Sequence, residues 1–367
     1  MAGGRIIRTG SVSDRPHTRG KRLPPNRECQ RPALAFRKGN DAMYTIRPYK
    51  ATTEEEYAAL VAIHNAAWPD EPETIASWRF HNDRRPTDIL HQRFVVESGG
   101  QLVTEGTYME LYWSTAPDKY EYGYSCLPAY EDRADLHQLI YEYVLAQLAE
   151  RQPKVLATDT REDRSSRVEW LNSQGFVVKM RFPISELDVT DFDFSRFHGA
   201  QERVAAAGVV ILPLTELRER DSQWMEKLYE MIWEIEQDAP GIDPPKKEPF
   251  EEFAKRFGSP NYWPEGWQMA IDPAAGDDGV GAYVGVSMLA KNPPMPQRIE
   301  TGLTGVVRSH RRKGIALAIK LRAIKFAIQN GGTVIRTDNE ENNPMLGINK
   351  MLGFVEIPAY LELVKEL

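Results

Sequence analysis

The fold prediction starts from the stretch Val306-Val307-Arg308-Ser309-His310-Arg311-Arg312-Lys313-Gly314-Ile315-Ala316. Its pattern is that of a strand end, a basic turn and the start of a helix. Consecutive backbone N–H groups in such a turn, together with the positive end of a helix, form a cradle for phosphate oxygens. Gly314 and the small Ala316 let a phosphate approach the backbone. The spacing is neither that of a nucleotide P-loop nor that of a Rossmann turn, and taken alone these residues also suit a solvated basic turn.

The composition is typical of a globular protein with more than one domain. The chain has 367 residues, of which 41% are hydrophobic and 27% charged, which is enough for two packed cores. No run approaches the roughly 18 apolar residues of a membrane helix, and the basic start lacks a signal peptide's apolar region, so we expect a cytoplasmic protein. The two cysteines and seven histidines show no metal-ligand spacing, so we expect no metal site.

The first 42 residues differ in composition from the rest. Residues 1–42 contain ten Lys or Arg, three Asp or Glu and no apolar periodicity, which is typical of a disordered basic tail. The tail is either an arm for nucleic acid or an extension upstream of a natural start near Met43. The remaining chain carries a net charge of about −14, so we expect it to bind neither nucleic acid nor an anionic membrane.

Landmarks recur along the chain in the same order. Pro48 and Pro213, each ending a predicted strand, are 165 residues apart, and the Gly-Phe pairs at 175–176 and 353–354 are 178 apart. Each Gly-Phe pair follows a predicted helix and precedes a strand, where glycine suits a left-handed helix cap. The repetition indicates two diverged copies of one domain.

The pattern predicts an α/β fold of two tandem domains, each with a mixed, mostly antiparallel sheet flanked by helices. We expect the tail at 1–42, a first domain at 43–195 and a second at 196–367, with a helical connector near 198–207. In the second half the predicted strands are 208–214, 267–273, 282–290, 298–307, 333–338 and 354–365. The predicted helices there are 221–237, 247–257, 314–330 and 343–352.

The motif Arg311-x-x-Gly314-x-Ala316 resembles the Arg/Gln-x-x-Gly-x-Gly/Ala turn of the GNAT superfamily of N-acetyltransferases. The following helix and the segment 337–354 resemble the family's next two motifs in the right order. Tandem members include mycothiol synthase, whose two-domain plan this chain resembles. The resemblance implies that acetyl-CoA is the acyl donor and that the turn holds its pyrophosphate. The residues it implies at the donor are Val306, Val307, Arg311, Arg312, Lys313, Gly314, Ile315, Ala316, Asn342 and Asn349.

The resemblance also suggests how acetyl transfer would proceed. The backbone of Val306 or Val307 would donate to the developing oxyanion. Glu300 lies on the same predicted strand, and we nominate it as the general base that takes the amine proton. Alternatively, Glu300 is an edge carboxylate that pairs with Arg298. The family often has a tyrosine as general acid where this chain has Asn349, so the acid is unassigned and Asn349 would instead hydrogen-bond the thiol or the pantetheine arm.

Two further predictions concern neighbouring polar residues. Asn342 matches a motif asparagine that contacts the donor, although Asn343 takes that role after a shift of one residue, and either suits a helix N-cap. Acidic residues in and after the first helix of the second half either attract a cationic amine or form a solvated face. These residues are Glu234, Glu236, Asp238 and Asp243.

The first half departs from the motif at the corresponding turn. Residues 128–136 contain no glycine and three carboxylates, Glu131, Asp132 and Asp135. Because carboxylates repel a pyrophosphate, we expect the first domain to be a degenerate copy that supports the fold or shapes the substrate cleft.

The sequence therefore predicts an acetyl-CoA-dependent N-acetyltransferase that acts on a primary amine of a small molecule. The alternatives are a non-catalytic acyl-CoA-binding or interaction module and an enzyme that acetylates a protein amine. The sequence predicts neither the acceptor nor the oligomeric state.

Overall fold

A computed structural model of the chain describes residues 34–38, 41–85, 88–111, 118–276 and 279–367. The described chain divides into two compact units. Unit 1 contains residues 34–38, 41–181 and 358–367, and unit 2 contains residues 182–357, apart from the gaps just given. The architecture is mixed α/β, with sheets flanked by helices. None of the helices in the described part of the chain is long and apolar enough to cross a membrane.

Unit 1 has a sheet in the order β1-β2-β3-β4-β5-β6-β13. All neighbours are antiparallel except β5 and β6, which are parallel. Its strands are β1 (Leu34–Lys38), β2 (Asp41–Pro48), β3 (His91–Ser98), β4 (Gln101–Glu110), β5 (Lys119–Cys126) and β6 (Val155–Arg161), with the end of β13 (Val355–Glu366). Its helices are α1 (Glu54–Ala67), α2 (Ile75–Asp83), α3 (Ala134–Leu148) and α4 (Ser165–Ser173).

Unit 2 has a sheet in the order β7-β12-β11-β10-β9-β8. Its neighbours are antiparallel except β11 and β12, which are parallel. Its strands are the end of β7 (Val177–Asp188), β8 (Val210–Pro213), β9 (Gln268–Asp272), β10 (Ala282–Ala290), β11 (Arg298–Val306) and β12 (Val334–Asp338). Its helices are α5 (Ala200–Ala206), α6 (Leu214–Arg220), α7 (Trp224–Glu236), α8 (Phe250–Lys255), α9 (Ile315–Gln329) and α10 (Pro344–Leu352).

The helices pack on both faces of each sheet. In unit 1 an aromatic-rich core lies under α3, and a smaller core around Leu60 and Trp78 lies under α1 and α2. In unit 2, buried residues of α9 belong to two clusters, one that extends to α7 and one that extends to Phe354. These layers place both faces of β11 next to a helix.

The predicted elements of the second half are confirmed with small shifts at their ends, and the short helix α6 was not predicted. The left-handed glycine cap is also confirmed, because Gly353 has φ +100° directly after α10 and Gly175 has φ +87° after α4. Both glycines adopt a backbone conformation that residues with a side chain rarely take.

The predicted domain boundaries differ from the observed units. Residues 182–195 lie in unit 2, and the last ten residues, 358–367, lie in unit 1. The closing strand of each half therefore pairs outside its own half, β13 with β6 and β7 with β12. Such pairing between distant segments leaves no signal in local sequence periodicity.

The predicted disordered tail is in part a strand. Residues 34–38 form β1, which pairs antiparallel with β2, and β2 begins at Asp41. The remainder of the predicted tail, residues 1–33 and 39–40, lies outside the described residues. The Leu-Ala-Phe run of β1 is too short to predict a strand from residue propensities alone. Its hydrogen bonds come from pairing with β2, which propensities do not include.

Candidate functional site

The strands β11 and β12 form a wedge in unit 2. They pair in parallel only at residues 298–300 of β11 and 334–336 of β12. Beyond this point β11 continues to Val306 along β10, and β12 ends at Asp338 along β7. In the described part of the chain, the backbone of 301–306 therefore has no strand partner on its β12 side. We call this opening the unit 2 wedge.

A β-bulge interrupts β11 at the start of the wedge. Ser287 pairs with Thr304, but Leu289 pairs with Thr301, so β11 has one extra residue near 302–303. An extra residue reverses the side-chain alternation beyond it. Ile299 accordingly packs in the α9 core, whereas an added Cβ at Gly305 would lie 2.2 Å from Ile235 Cγ2 of α7.

The ladder between β10 and β11 shows which backbone groups face the wedge. Val307 N–H donates to Val284 O at 3.0 Å. In an antiparallel ladder the neighbouring residues turn their N–H and C=O groups to the other side, so those of Val306 and Thr304 face the wedge. The prediction named Val306 or Val307 as oxyanion donor, and the hydrogen bond of Val307 leaves Val306 as the geometrically suitable one.

The predicted basic turn connects the end of β11 to α9. Arg312 and Gly314 have φ values of +64° and +80°, which place successive peptide groups in a tight turn. Gly314 is the N-cap of α9 and provides no side-chain cap, so the first N–H groups of the helix point out of the turn. Ile315 is buried and anchors the helix, and Arg312, Lys313 and Gly314 are exposed. An anion can therefore reach both the backbone and the cationic side chains.

Two arginines of the turn share one carboxylate. The Nε and Nη2 atoms of Arg308 donate to the two carboxylate oxygens of Asp238 at 2.8 and 2.6 Å. Nη2 of Arg311 lies 2.6 Å from the same carboxylate. Arg311 Nε also donates to Val306 O at 3.0 Å. The hydrogen bonds from Arg308 and then Arg311 lower the pKa of Asp238 to about 2. Arg311, which we predicted to contact the donor, thus holds the turn in place. Asp238, which we predicted either to attract an amine or to lie on a solvated face, instead binds the turn.

A second acid holds the turn from β9. His310 Nε2 lies 3.0 Å from Asp272 Oδ2, and this contact lowers the pKa of Asp272. The backbone N–H of Arg308 donates to Glu234 Oε1 at 2.9 Å. Of the acidic residues near α7, Glu234 and Asp238 therefore bind the basic turn. Only the assembled fold could show these contacts, because the partners are 38 to 74 residues apart.

Two carboxylates lie on the α7 face of the sheet at the wedge. Glu300 follows Ile299, which faces α9, so its side chain faces α7; Arg298 and Asn292 donate to its Oε1 at 2.8 and 2.7 Å. Asp338, two residues beyond Arg336 on β12, shares this face and is exposed. Glu300 therefore forms the ion pair with Arg298 that the sequence analysis gave as the alternative. Asp338 was not among the predicted site residues.

The asparagines near α10 have distinct surroundings. Asn343 is the N-cap of α10 and accepts from Met345 N–H at 2.9 Å, whereas Asn342 is exposed and donates to Glu340. Asn349 is fully buried and donates to Asn339 Oδ1 at 2.6 Å. Its own Oδ1 is buried without a hydrogen-bond partner in the described structure. That oxygen is an acceptor that a bound molecule could use.

The corresponding wedge of unit 1 is closed. Strands β5 and β6 also pair only at 119–121 and 155–157, but β5 pairs with β4 without a bulge. Arg167 of α4 donates to Tyr124 O at 3.0 Å, a backbone carbonyl in the wedge region. It also binds Glu131, which occupies the position of Arg311, at 2.7 Å. A buried arginine thus lies in the wedge region of unit 1, whereas in unit 2 the arginine that contacts a wedge carbonyl is the exposed Arg311, at the end of β11.

The turn of unit 1 also lacks the cradle. Arg133, not glycine, is the N-cap of α3, and its φ is −90°. Its guanidinium binds Asp135 at 3.1 and 3.0 Å. Two of the three predicted repelling carboxylates, Glu131 and Asp135, are therefore paired with arginines, and packing as well as charge closes this turn.

Comparison with known proteins identifies the fold. No protein-family model matches the chain, and no curated protein matches it significantly. Among solved structures, a GCN5-related N-acetyltransferase from Sphaerobacter thermophilus has a TM-score of 0.61 at 13% identity, with 88% of this chain and 95% of that chain covered. A tandem GNAT protein from the clavulanic acid biosynthesis pathway has a TM-score of 0.64 at 16% identity, with 88% and 98% covered.

A third structure covers a smaller part of its own chain. A GCN5-related glucosamine N-acetyltransferase region of a fungal multi-domain β-N-acetylglucosaminidase has a TM-score of 0.62 at 12% identity, with 89% of this chain and 38% of that chain covered. These likenesses show that the chain has the GNAT fold, which is the fold that the resemblance implied.

Proposed function

We propose that the protein is an N-acetyltransferase that moves the acetyl group of acetyl-CoA to a primary amine of a small molecule, with the chemistry in unit 2. The observation that carries the proposal is the contrast between the two wedges. The unit 2 wedge is open beside an exposed anion cradle, whereas Arg167 closes the corresponding region of unit 1. One donor site per chain follows from this contrast.

The donor would bind at the turn. Its pyrophosphate would accept hydrogen bonds from the N–H groups at the start of α9 and charge-assisted bonds from Arg312 and Lys313. Arg311 would hold the turn through Asp238 and Val306. Asn349 Oδ1 would accept an N–H from the pantetheine arm, since it is the buried acceptor beside the wedge.

Acetyl transfer would take place within the wedge. The amine attacks the thioester carbonyl, the C–N bond forms, and the carbonyl oxygen becomes an oxyanion that accepts from Val306 N–H. The C–S bond then breaks, and water would supply the proton that the departing thiolate takes. The donor enters from the α9 side and the amine from the α7 side, because the cradle and the carboxylates lie on these opposite faces.

A carboxylate on the α7 face would take the amine proton. Glu300 is the predicted base, and its Oε1 also accepts hydrogen bonds from Arg298 and Asn292. Asp338 is a second candidate on the same face. Replacing the true base by its amide should lower the rate by about 10²–10⁴-fold.

Calorimetry with coenzyme A tests the donor site. Gly314→Glu places a carboxylate in the cradle, and Gly331→Glu is its matched control, because Gly331 is also exposed and has a similar φ of +83° but lies at the other end of α9. We expect one coenzyme A per chain, loss of binding in Gly314→Glu and retention in Gly331→Glu. Two molecules per chain, or binding retained in Gly314→Glu, would overturn the assignment.

Thiol release from acetyl-CoA over a panel of amines separates an enzyme from a binding module. Glu300→Gln and Asp338→Asn should bind coenzyme A normally, and one of them should lose turnover. Coenzyme A binding without thiol release for any amine would instead favour the acyl-CoA-binding module. Turnover with a protein amine alone would favour protein acetylation.

A further inference from the structure

Unit 1 contains a buried carboxylate with no partner. Asp159 of β6 is 7% exposed. Both of its carboxylate oxygens are buried, and neither forms a hydrogen bond within the described part of the chain. Isolated burial of a charged carboxylate is strongly unfavourable, and native proteins normally pair such groups. The surroundings of Asp159 should therefore reveal what kind of partner would fit.

The side chain of Asp159 faces the α1 side of the sheet. The pairing of β6 with β13 is regular from 155 to 161, so side chains alternate without interruption. Leu156 belongs to the core under α3, and Arg161, two residues after Asp159, places its guanidinium 5.3 Å from the ring of Trp68 at the end of α1. Asp159 shares the face of Arg161.

The neighbouring strand has a glycine at the level of Asp159. Strands β5 and β6 pair only at 119–121 and 155–157, and the same register continued by two residues places Gly123 level with Asp159. The next residue on the same face, Ser125, accepts from Trp68 Nε1 at 3.3 Å and lies 3.5 Å from His64 Nδ1. Burial lowers the pKa of His64, so this histidine is neutral at pH 7 and does not balance Asp159.

Other polar groups lie on this face, and of these Thr107 and Glu105 are buried. Thr107 of β4 lies opposite Gly123, and Glu105 of the same strand pairs with Arg93 at 3.0 Å. Glu362 of β13 lies directly opposite Asp159 and adds negative charge. Several oxygen acceptors therefore lie on this face, beside the apolar cluster of Leu60, Trp78 and Val95.

The nearby arginines are engaged with other groups. Arg161 binds Asp70 at 2.5 Å and both oxygens of Asp163 at 2.9 and 2.6 Å. Arg164 donates to Ala67 O at 2.5 Å. Neither arginine therefore forms an ion pair with Asp159 in the described part of unit 1.

We propose that unit 1 binds an ammonium group of a small organic molecule at Asp159, on the α1 face of its sheet. The carboxylate would accept two N–H bonds of the ammonium, and the hydroxyls of Ser125 and Thr107 are further acceptors on the same face. A metal ion fits less well, because the described residues contain no group of three or more His, Cys, Asp or Glu that could hold one. Unit 1 is then a second amine site that performs no acyl transfer.

Thermal unfolding of the full chain with 1,4-diaminobutane tests this site in the absence of acetyl-CoA. The neutral 1,4-butanediol and sodium chloride at equal ionic strength control for solvent and salt effects. Asp132→Asn is the control variant, because Asp132 is an exposed carboxylate of unit 1. We expect diaminobutane to raise the melting temperature of the unchanged chain and of Asp132→Asn.

In Asp159→Asn the apparent affinity for diaminobutane should fall about tenfold or more, because the amide loses the charge-assisted bonds. An equal response in Asp159→Asn would overturn the proposal. So would an equal loss of response in Asp132→Asn, or a rise in melting temperature no larger than that with sodium chloride. A second test needs no substitution at residue 159. It follows the indole N–H resonance of Trp68 by NMR, and the loss of one resonance in Trp68→Phe assigns it. Diaminobutane should shift it through Ser125, and an unchanged resonance would contradict the site.

Discussion

Lys320 of α9 is a buried cation, and its removal should stabilise the protein. The side chain is 4% exposed, and its ammonium lies 5.4 Å from the centre of the Phe354 ring. Burial lowers the pKa of Lys320 from 10.5 to about 8. This difference in pKa means that burial of the charged ammonium lowers the free energy of unfolding at pH 7 by about 3 kcal/mol. Lys320→Met keeps the length of the side chain and removes the charge.

The expected gain is smaller than the full penalty. Loss of the contact with Phe354 costs about 0.5–2 kcal/mol, so Lys320→Met should raise the free energy of unfolding at pH 7 by about 1–3 kcal/mol. The pH dependence has a definite sign. Because the pKa is lower in the folded chain, the unfolded chain binds more protons between pH 8 and 10.5, and the unchanged protein should gain stability across this range.

Urea unfolding followed by tryptophan fluorescence at pH 7 and at pH 9.5 measures both effects. Lys325→Met is the control, because Lys325 lies on the same helix and is exposed. Lys320→Met should flatten the rise with pH, and Lys325→Met should leave it unchanged. Destabilisation by Lys320→Met at pH 7 would show that the ammonium has a favourable partner, and an undiminished rise with pH would show that another group causes the rise. Either result would refute the reasoning.

Three further predictions concern packing in each unit. Gly305→Ala should destabilise unit 2 by about 1–3 kcal/mol, since its Cβ would lie 2.2 Å from Ile235 Cγ2. Thermal unfolding should show this loss. Gly347→Ala is the control and should show no loss, because a Cβ there meets nothing within 4 Å. Arg167→Ala should cost about 3–5 kcal/mol in urea unfolding because it leaves Glu131 buried without its partner, and a smaller loss in the background of Glu131→Gln would confirm that the ion pair is responsible. A chain that begins at Met43 lacks β1 and exposes the edge of β2, so it should melt at a lower temperature than one beginning at Ala33; equal melting temperatures would show that β1 adds no stability.

Local signals in the sequence determined the elements and the turn. The helix and strand pattern of the second half, the glycine caps and the order strand, basic turn, helix all depend on residues within a few positions of one another. The motif around Arg311 and Gly314 predicted the GNAT fold for the same reason, because a turn that cradles an anion needs glycine and cations at a short, constant spacing. The duplication was visible because both halves kept these local landmarks.

Long-range pairing decided the rest of the site. The bulge in β11 depends on its register with β10, and that register directs Glu300 toward α7 and occupies the N–H of Val307. Asp238 reaches the turn across 70 residues, and Arg167 reaches Glu131 across 36. The exchange of β7 and β13 and the unpaired burial of Asp159 also follow from which strands meet. Hydrogen-bond register and charge pairing between distant segments are properties of the assembled chain, and no local window of sequence contains them.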